Sequence, residues 1–225
     1  MSSISTNQSL LASFNDLRKD ETCIIIGNGP SLMDVPTELL QKYSTFGTNK
    51  IFMHPTFPTP TYYVAVNPLV VAQNAAVIEA LPCYRFLSGS AVDSGFDALW
   101  LRSMPAPLFS YDPSRYVYEG HTVTFVCMQL AFFMGYTTVL LVGVDHSYVF
   151  EGPANQPQAL TGDDPNHFTP EYFKGQMWHT PDLPKSEQAY QMAQKAFDDD
   201  GRRILNLTTR TELTVFPQDD WRNWL

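Results

Sequence analysis

The sequence has little cysteine and little positive charge, and each shortage excludes a class of protein. Its three cysteines, Cys23, Cys83 and Cys127, are an odd number without metal-ligand spacing, so we predict neither a zinc site nor a disulfide staple. Fourteen Lys and Arg residues stand against 23 Asp and Glu residues, and the net charge is −9. This balance argues against nucleic acid and against an anionic membrane surface as partners, because both bind through basic side chains.

Long apolar stretches are also missing. The longest run, residues 125–134 with Gln129 inside it, is too short to span a bilayer, so no transmembrane segment is predicted. Residues 1–19 are polar and lack the basic start and apolar stretch of a signal peptide. We therefore expect a cytoplasmic protein. Its oligomeric state stays open, and a homo-oligomer is compatible with the sequence.

The composition that remains is that of a globular protein. Hydrophobic residues make up 44% of the 225 residues and charged residues 16%, so a real core forms without covalent staples. We expect residues 1–20 to form a helical extension, with a short amphipathic helix over 9–20. Residues 21–225 are predicted to form a single nucleotide-binding domain with a lid over 150–182.

Short apolar runs alternate with helical patterns through this domain. Thr22–Ile26 is rich in β-branched residues and stops at Gly27, as is typical of a buried parallel strand. The alternation predicts an α/β, Rossmann-like fold with a mostly parallel sheet and helices on both faces. Further strands are predicted at 45–49, 62–66, 83–87, 138–144 and 203–207, and helices at 39–43, 68–81, 122–134 and 186–200.

The segment over residues 150–178 has low periodicity and many Pro, Gly and Asp residues. A loop of that length in a compact domain is usually functional or disordered. Its aromatic residues favour an ordered lid over disorder. They are Phe168, Tyr172, Phe173 and Trp178.

A glycine-rich turn, Gly27-Asn28-Gly29-Pro30-Ser31, follows the first strand. Glycines let a phosphate approach backbone amides, and Pro30 and Ser31 suit the start of a helix whose amides attract anions. The spacing matches neither G-x-G-x-x-G nor a Walker P-loop. We predict that the turn binds a phosphate-bearing nucleotide; the alternative is a plain strand-to-helix turn.

Asparagines follow three predicted strand ends, at Asn28, Asn49 and Asn67. Ligands of open parallel sheets bind outside the carboxyl ends of the strands, where an amide donates to a phosphate or a sugar. One such asparagine would ordinarily be a turn residue. Three at successive strand ends predict a shared site around one anion.

Polar residues also follow the strongest strand. Asp145 is suited to accept from ribose hydroxyls, to hold a metal or to cap a turn, and Tyr148 is suited to donate to a phosphate. His146 is interpreted as structural.

The lid contributes His167 and, beside it, His179, and a histidine there suits a general base near neutral pH. The acidic pairs and runs at 163–164 and 198–200 are interpreted as solvated faces rather than magnesium ligands.

These motifs resemble a known group of enzymes. Residues 25–32, Ile-Ile-Gly-Asn-Gly-Pro-Ser-Leu, are similar to the nucleotide-binding turn of bacterial sialyltransferases of glycosyltransferase family 42. Further similarity follows in the family's order at residues 48–50, 66–68, 134–136 and 142–145, covering most of 22–206. The superfamily also includes motility accessory factor glycosyltransferases and archaeal 6-hydroxymethyl-dihydropterin diphosphokinases. Bacterial proteins of that pterin-kinase-like (MptE-like) family look most similar overall, including Asp-Asp-Pro-Asn-His-Phe at 163–168.

The resemblance implies a transferase that moves a CMP-activated acidic sugar to a glycan acceptor and requires no metal or other cofactor. It places Asn28, Asn49 and Asn67 against the nucleotide and donor, and Tyr148 near the leaving phosphate. It matches His179 to the general base and His167 to a neighbouring histidine of the lid. The other predicted ligand-binding residues are Gly27, Gly29, Pro30, Ser31, Thr122, Thr124 and Asp145.

The sequence departs from that family before the buried helix. An Arg and a Ser are expected there, but Gly120 and Val123 stand at the matching positions, with Thr122 and Thr124 as the nearby hydroxyls. A different donor sugar, or a loss of catalysis, would each account for this change. Two alternatives stay open: a Mg²⁺-dependent diphosphokinase acting with ATP, and a non-catalytic module that binds a nucleotide or glycan.

Overall fold

The computed structural model describes residues 2–56, 58–90 and 97–225. The predicted α/β class is confirmed, because seven of the strands described there form one parallel sheet. The strands in chain order are β1 (Thr22–Ile26), β2 (Ser44–Thr48), β3 (Tyr62–Ala65), β4 (Tyr84–Ser88), β5 (Leu99–Leu101), β6 (Ser103–Met104), β7 (Val117–Tyr118), β8 (Thr138–Val142), β9 (Pro157–Leu160), β10 (Gln176–His179) and β11 (Arg203–Asn206).

Helices cover both faces of this sheet, as the alternating pattern predicts. On one face pack α1, α5 and α6, and on the other α2, α3, α4 and the aromatic residues of the lid. The helices are α1 (Ser2–Ala12), α2 (Thr37–Lys42), α3 (Pro68–Gln73), α4 (Ala75–Ala80), α5 (Val123–Phe133) and α6 (Leu183–Asp199).

The order of the parallel strands is β11-β8-β1-β2-β3-β4-β5. The chain moves outward from β1 to β5 and then returns to place β8 on the other side of β1. This reversal is a topological switch point, at which a crevice opens beyond the carboxyl ends of the two neighbouring strands. The fold therefore places the glycine-rich turn after β1 beside the residues that follow β8.

Helix α5 is apolar nearly all round, and it is buried between the sheet and α6. Its one amide, Gln129, is fully hydrogen-bonded: Oε1 accepts from the Ser110 and Tyr118 N–H groups, and Nε2 donates to the Tyr118 and Phe125 carbonyls. A buried amide is tolerated when all its partners are present. Gln129 thereby holds the segment that leads to the N-terminus of α5.

Two predicted helices differ from the structure, the first because a tertiary contact outweighs the local pattern. The helix predicted over 9–20 is α1, and residues 13–20 form turns instead. The N–H groups of Asp16, Arg18 and Asp20 donate to the last carbonyls of α5 and to Gly135, with positive φ at both aspartates. The helix predicted over 68–81 is interrupted at Asn74, whose side chain donates to the Val70 carbonyl.

The lid over 150–182 contains regular structure that its sequence does not indicate. Strands β9 and β10 pair antiparallel, with Trp178 opposite Gln158. Among the described residues, no helix combines the length and apolarity needed to cross a bilayer.

Candidate functional site

A cleft of about 950 Å³ opens at the switch point, beyond the carboxyl ends of β1 and β8. The lid closes one side, and the N-termini of α5 and α6 form the other. The structure brings eleven of the thirteen predicted site residues into its lining, whereas Pro30 and Ser31 lie outside it. The eleven are Gly27, Asn28, Gly29, Asn49, Asn67, Thr122, Thr124, Asp145, Tyr148, His167 and His179.

The anion partner of the glycine-rich turn belongs to the protein itself. The Ser31 N–H donates over 3.0 Å to Asp145 Oδ2, and the Ser31 hydroxyl donates to Oδ1 of the same carboxylate. Gly29 has no side chain because a Cβ there would collide with that carboxylate. Pro30 and Ser31 open a single 3-10 turn, Pro30–Asp34, rather than the anion-binding helix that the sequence predicts.

The Asn28 amide also forms its hydrogen bonds within the protein. Nδ2 donates to the Thr48 carbonyl (3.2 Å) and to Thr48 Oγ1 (2.9 Å), whose hydroxyl donates to the Ile26 carbonyl (2.9 Å). Both amide hydrogens are therefore used. Because a carbonyl can only accept, the atom of the Asn28 amide that faces the Thr48 carbonyl must be the nitrogen. The remaining Oδ1 is buried and has no partner among the described residues. The Asn28 side chain thus has an unused acceptor and no unused donor.

Two more polar atoms of the lining lack a partner within the described part of the chain, namely Asn49 Oδ1 and Trp178 Nε1. Asn49 has a φ of +49°, which asparagine tolerates, and its carbonyl accepts from the Tyr63 hydroxyl over 2.6 Å. Buried polar atoms without partners are uncommon and costly. Three of the five such atoms in the described residues belong to side chains that line the cleft.

The third asparagine, Asn67, has a structural role of its own. Its Oδ1 accepts from the Leu69 N–H over 2.9 Å and so caps α3, and Nδ2 lies 3.5 Å from His179 Nδ1. Thr122 similarly caps α5 by accepting from the Thr124 N–H, and its hydroxyl lies 3.2 Å from the Tyr190 hydroxyl. Each capping residue still lines the cleft.

The Asp145 carboxyl and the Tyr148 hydroxyl, which both follow β8, have raised pKa values. Burial raises the pKa of the Asp145 carboxyl, although the hydrogen bonds from Ser31 oppose this. Desolvation, and then the nearby Tyr190 and Asp145, raise the pKa of the Tyr148 hydroxyl further above neutral, and a protonated tyrosine is a hydrogen-bond donor. His146 Nε2 lies 3.1 Å from Glu187 Oε1, and its ring also lines the cleft, so its structural role stays a prediction.

The two histidines of the lid differ in their surroundings. His167 Nδ1 lies 2.8 Å from Asp164 Oδ2, and its ring stacks on Tyr172 with centroids 4.0 Å apart. His179 is exposed at the end of β10. The interpretation of residues 163–164 as a solvated face holds for the exposed Asp163 but is wrong for Asp164, which is buried.

Lys50 is a buried cation that sequence reasoning missed. Its Nζ donates to the Tyr172 carbonyl and, over 3.0 Å, to Gln176 Oε1, and it lies 5.1 Å from the centre of the Phe173 ring. Burial lowers the pKa of the Lys50 ammonium. Lys50 therefore connects the end of β2 to the lid. The signal for this in the sequence is its position directly after Asn49, a predicted site residue.

Carboxylates and histidines are dispersed around the cleft. Among the described residues, no group of three or more His, Cys, Asp or Glu side chains is arranged to hold a metal ion. The acidic run at 198–200 ends α6, away from the cleft lining, and pairs there with Lys195 and Arg202.

Comparisons with known proteins bear on the fold. No protein-family model matches the chain, and no curated protein does. Among solved structures, it is similar to the MAf glycosyltransferase from Magnetospirillum magneticum AMB-1, with a TM-score of 0.58 and 15% identity over 97% of this chain. It spans 38% of that protein's length. A second match is the sialyltransferase CstII from Campylobacter jejuni in complex with a substrate analogue, cytidine-5'-monophosphate. Its TM-score is 0.49 at 12% identity, and the match covers 89% of this chain and 85% of CstII. The first match shows that the chain shares the fold of the part of the MAf glycosyltransferase that it covers.

Proposed function

We propose that this protein is a glycosyltransferase-like enzyme that transfers a sugar from a nucleotide donor, a CMP-activated acidic sugar, to a glycan acceptor. The observation that carries the proposal is the cleft at the switch point, where predicted site residues and buried polar atoms without partners meet. The likeness to the MAf glycosyltransferase supports the proposal at the level of fold.

The partners of Asn28 and Asp145 suggest how such a donor lies. Asn28 Oδ1 and Asn49 Oδ1 are acceptors, and the Asp145 carboxylate sits on the glycine-rich turn. Oxygen acceptors bind hydroxyl or amine donors and repel a phosphate. In our proposal the ribose hydroxyls or the base amine occupy this end of the cleft. This differs from the sequence-based hypothesis that the three asparagines surround one anion.

The anionic parts of the donor then need other partners. Lys185, at the start of α6, is the one Lys or Arg in the described lining of the cleft. Tyr148 and Trp178 add donors, the first because its hydroxyl stays protonated and the second because its Nε1 has no described partner. We propose that these groups bind the phosphate and the sugar carboxylate.

An arginine at the position of Gly120, as in the sialyltransferases, does not fit this fold. Gly120 has a φ of +57°, and an added Cβ would lie 2.6 Å from the Ala189 Cβ. A side chain there would be both strained and crowded. We propose that Lys185 takes over the electrostatic role, with Thr122 and Thr124 as hydroxyl donors in the same wall.

Calorimetric titration with cytidine, CMP, CDP and ATP, each with and without Mg²⁺, tests the function. We expect CMP to bind without Mg²⁺, and cytidine to retain part of that affinity through its hydroxyls and amine. Mg²⁺-dependent binding of ATP alone would instead support the diphosphokinase. Binding of CMP without release of CMP from any CMP-activated sugar would support a non-catalytic module.

A further inference from the structure

The acidic residue behind His167 is held in one orientation. Asp164 is 4% exposed; its Oδ1 accepts from the Asn166 N–H over 2.9 Å, and its own N–H donates to the Pro170 carbonyl over 2.8 Å. The second oxygen, Oδ2, lies 2.8 Å from His167 Nδ1. The carboxylate cannot turn away from the imidazole without losing a buried hydrogen bond.

The His167 ring is held as firmly as its partner. It lies parallel to the Tyr172 ring, at an interplanar angle of 3°, and meets Phe173 edge-on at 5.3 Å. Tyr172 is itself fixed, because its hydroxyl accepts from the Lys50 N–H over 3.0 Å. The imidazole is therefore pre-organised by the lid.

A carboxylate accepts hydrogen bonds, so it holds the proton of a neutral imidazole on the nitrogen that faces it. For His167 that nitrogen is Nδ1, and the lone pair of Nε2 is left available. His167 lines the cleft, and its Nε2 has no hydrogen-bond partner among the residues that the structure describes. This arrangement of carboxylate, imidazole and open nitrogen is the one that a general base needs.

His179, which the resemblance matches to the base, lacks these features. Its ring is exposed, and the polar group near its Nδ1 is the Asn67 amide at 3.5 Å. An amide N–H can only donate to Nδ1, which favours a proton on Nε2 and leaves no lone pair there, and it does not stabilise an imidazolium.

We propose that His167, positioned by Asp164, is the general base of the transfer, and that His179 is not; this rests on the proposed function. His167 Nε2 takes the proton of an acceptor hydroxyl as its oxygen bonds to the anomeric carbon of the donor sugar. The bond from that carbon to the phosphate oxygen breaks, and its electron pair leaves with CMP. Asp164 stabilises the imidazolium that results.

The sharpest test is Asp164→Asn. Because Oδ1 accepts from the Asn166 N–H, the new side chain keeps its carbonyl on that side and turns its NH₂ group toward His167 Nδ1. We expect the proton of the imidazole to move to Nε2. Proton–nitrogen correlation spectra of the histidine rings, assigned with His167→Gln, measure the tautomer whether or not a substrate is known.

Turnover is measured as CMP release from CMP-sialic acid in the presence of glycan acceptors. We expect Asp164→Asn and His167→Gln to lower kcat by about 10²-fold or more, with little change in KM or in CMP affinity. His179→Gln should keep kcat within about fivefold of the original value, well inside the usual effect of removing a base. The matched control is Asp163→Asn, because Asp163 is exposed and pairs with Lys174; it should change neither tautomer nor kcat.

Three results would overturn the inference or its basis. If neutral His167 of the wild-type protein carries its proton on Nε2, Asp164 and His167 do not form the proposed pair. A large loss of kcat in His179→Gln, with His167→Gln unaffected, returns the role of base to His179. A wild-type protein that releases CMP from no donor overturns the proposed function itself, while the ring spectra still decide whether Asp164 and His167 form the pair.

Discussion

Single side chains decide what the cleft can bind. Asp145 and Asn28 present oxygen acceptors at the turn after β1, so charge complementarity for a phosphate must come from elsewhere. In our proposal Lys185 supplies it on the α6 side, where its ammonium lies 3.3 Å from the Asp182 carboxylate. Burial raises the pKa of the Asp182 carboxyl, but the hydrogen bonds from the Lys185 N–H and ammonium outweigh it and lower that pKa overall.

We predict that Lys185→Met weakens CMP binding about tenfold, or about 1.4 kcal/mol, because a charge-assisted hydrogen bond to an anion is lost. The affinity for cytidine, which has no phosphate, should be unchanged. Isothermal titration measures both. The matched control is Lys195→Met, on the same helix and paired with Asp199 at the surface, and it should bind CMP normally. Equal affinity of Lys185→Met and wild type for CMP would place the phosphate elsewhere.

At the scale of elements, a buried amine ties the lid to the sheet. Lys50 at the end of β2 donates to Tyr172 and Gln176 across the lid, and its side chain passes the Tyr172 and Phe173 rings. The same Tyr172 ring supports His167. The position of the proposed base therefore depends on β2, a strand remote from it in sequence.

We predict that Lys50→Met loosens the lid, because the buried Tyr172 carbonyl and the part-buried Gln176 Oε1 lose their donor, at a total of about 1–3 kcal/mol. Limited chymotrypsin digestion should cleave at the aromatic residues of the lid about tenfold faster, in line with about 1.4 kcal/mol of local stability. Far-UV circular dichroism should be unchanged.

Lys174→Met is the control for this experiment, since Lys174 is an exposed lysine of the lid that pairs with Asp163 and Glu171. Its digestion rate should match that of wild type. If Lys50→Met were as resistant as wild type, the apolar packing of the lid would suffice to hold it.

At the scale of the whole molecule, the two ends of the sheet have different roles. The carboxyl ends of the strands carry the cleft, while the opposite end is closed by the segment after α1. There Phe14 packs edge-on against the rings of Tyr84 and Phe86, at 5.2 Å from each. We propose that residues 1–20 act as an extension that stabilises the domain over 21–225 without contributing to ligand binding.

We predict that Phe14→Ala lowers the free energy of unfolding by about 3–5 kcal/mol, as expected for a truncated core aromatic. CMP affinity, measured well below the melting temperature, should be unchanged. Leu17→Ala is the control, because Leu17 is 53% exposed whereas Phe14 is 6% exposed; urea denaturation compares the two. A loss of CMP affinity in Phe14→Ala would show that the two ends of the sheet are coupled.

Much of this architecture could be predicted from local pattern. Strand β1 has the predicted bounds, and buried helix α5 and strand β8 lie within theirs, because long apolar runs and glycine stops are strong local signals. The pairing of β9 with β10 could not be predicted, since its alternation is weak and the partner strand supplies its order. The turns over 13–20 were missed for a related reason, as they form only by capping α5.

By itself, the sequence determined the parallel sheet and which residues stand at its carboxyl ends, since periodicity and glycine stops are local properties of the chain. Asn28, Asn49, Asn67 and Asp145 reach one cleft for that reason. Only the tertiary structure decided how their atoms are used. Asp145 takes the turn's donors, Thr48 takes both hydrogens of Asn28, and Lys50 donates to the lid. Hydrogen-bond partners distant in sequence are set by packing, and packing has no signature in a single stretch of residues.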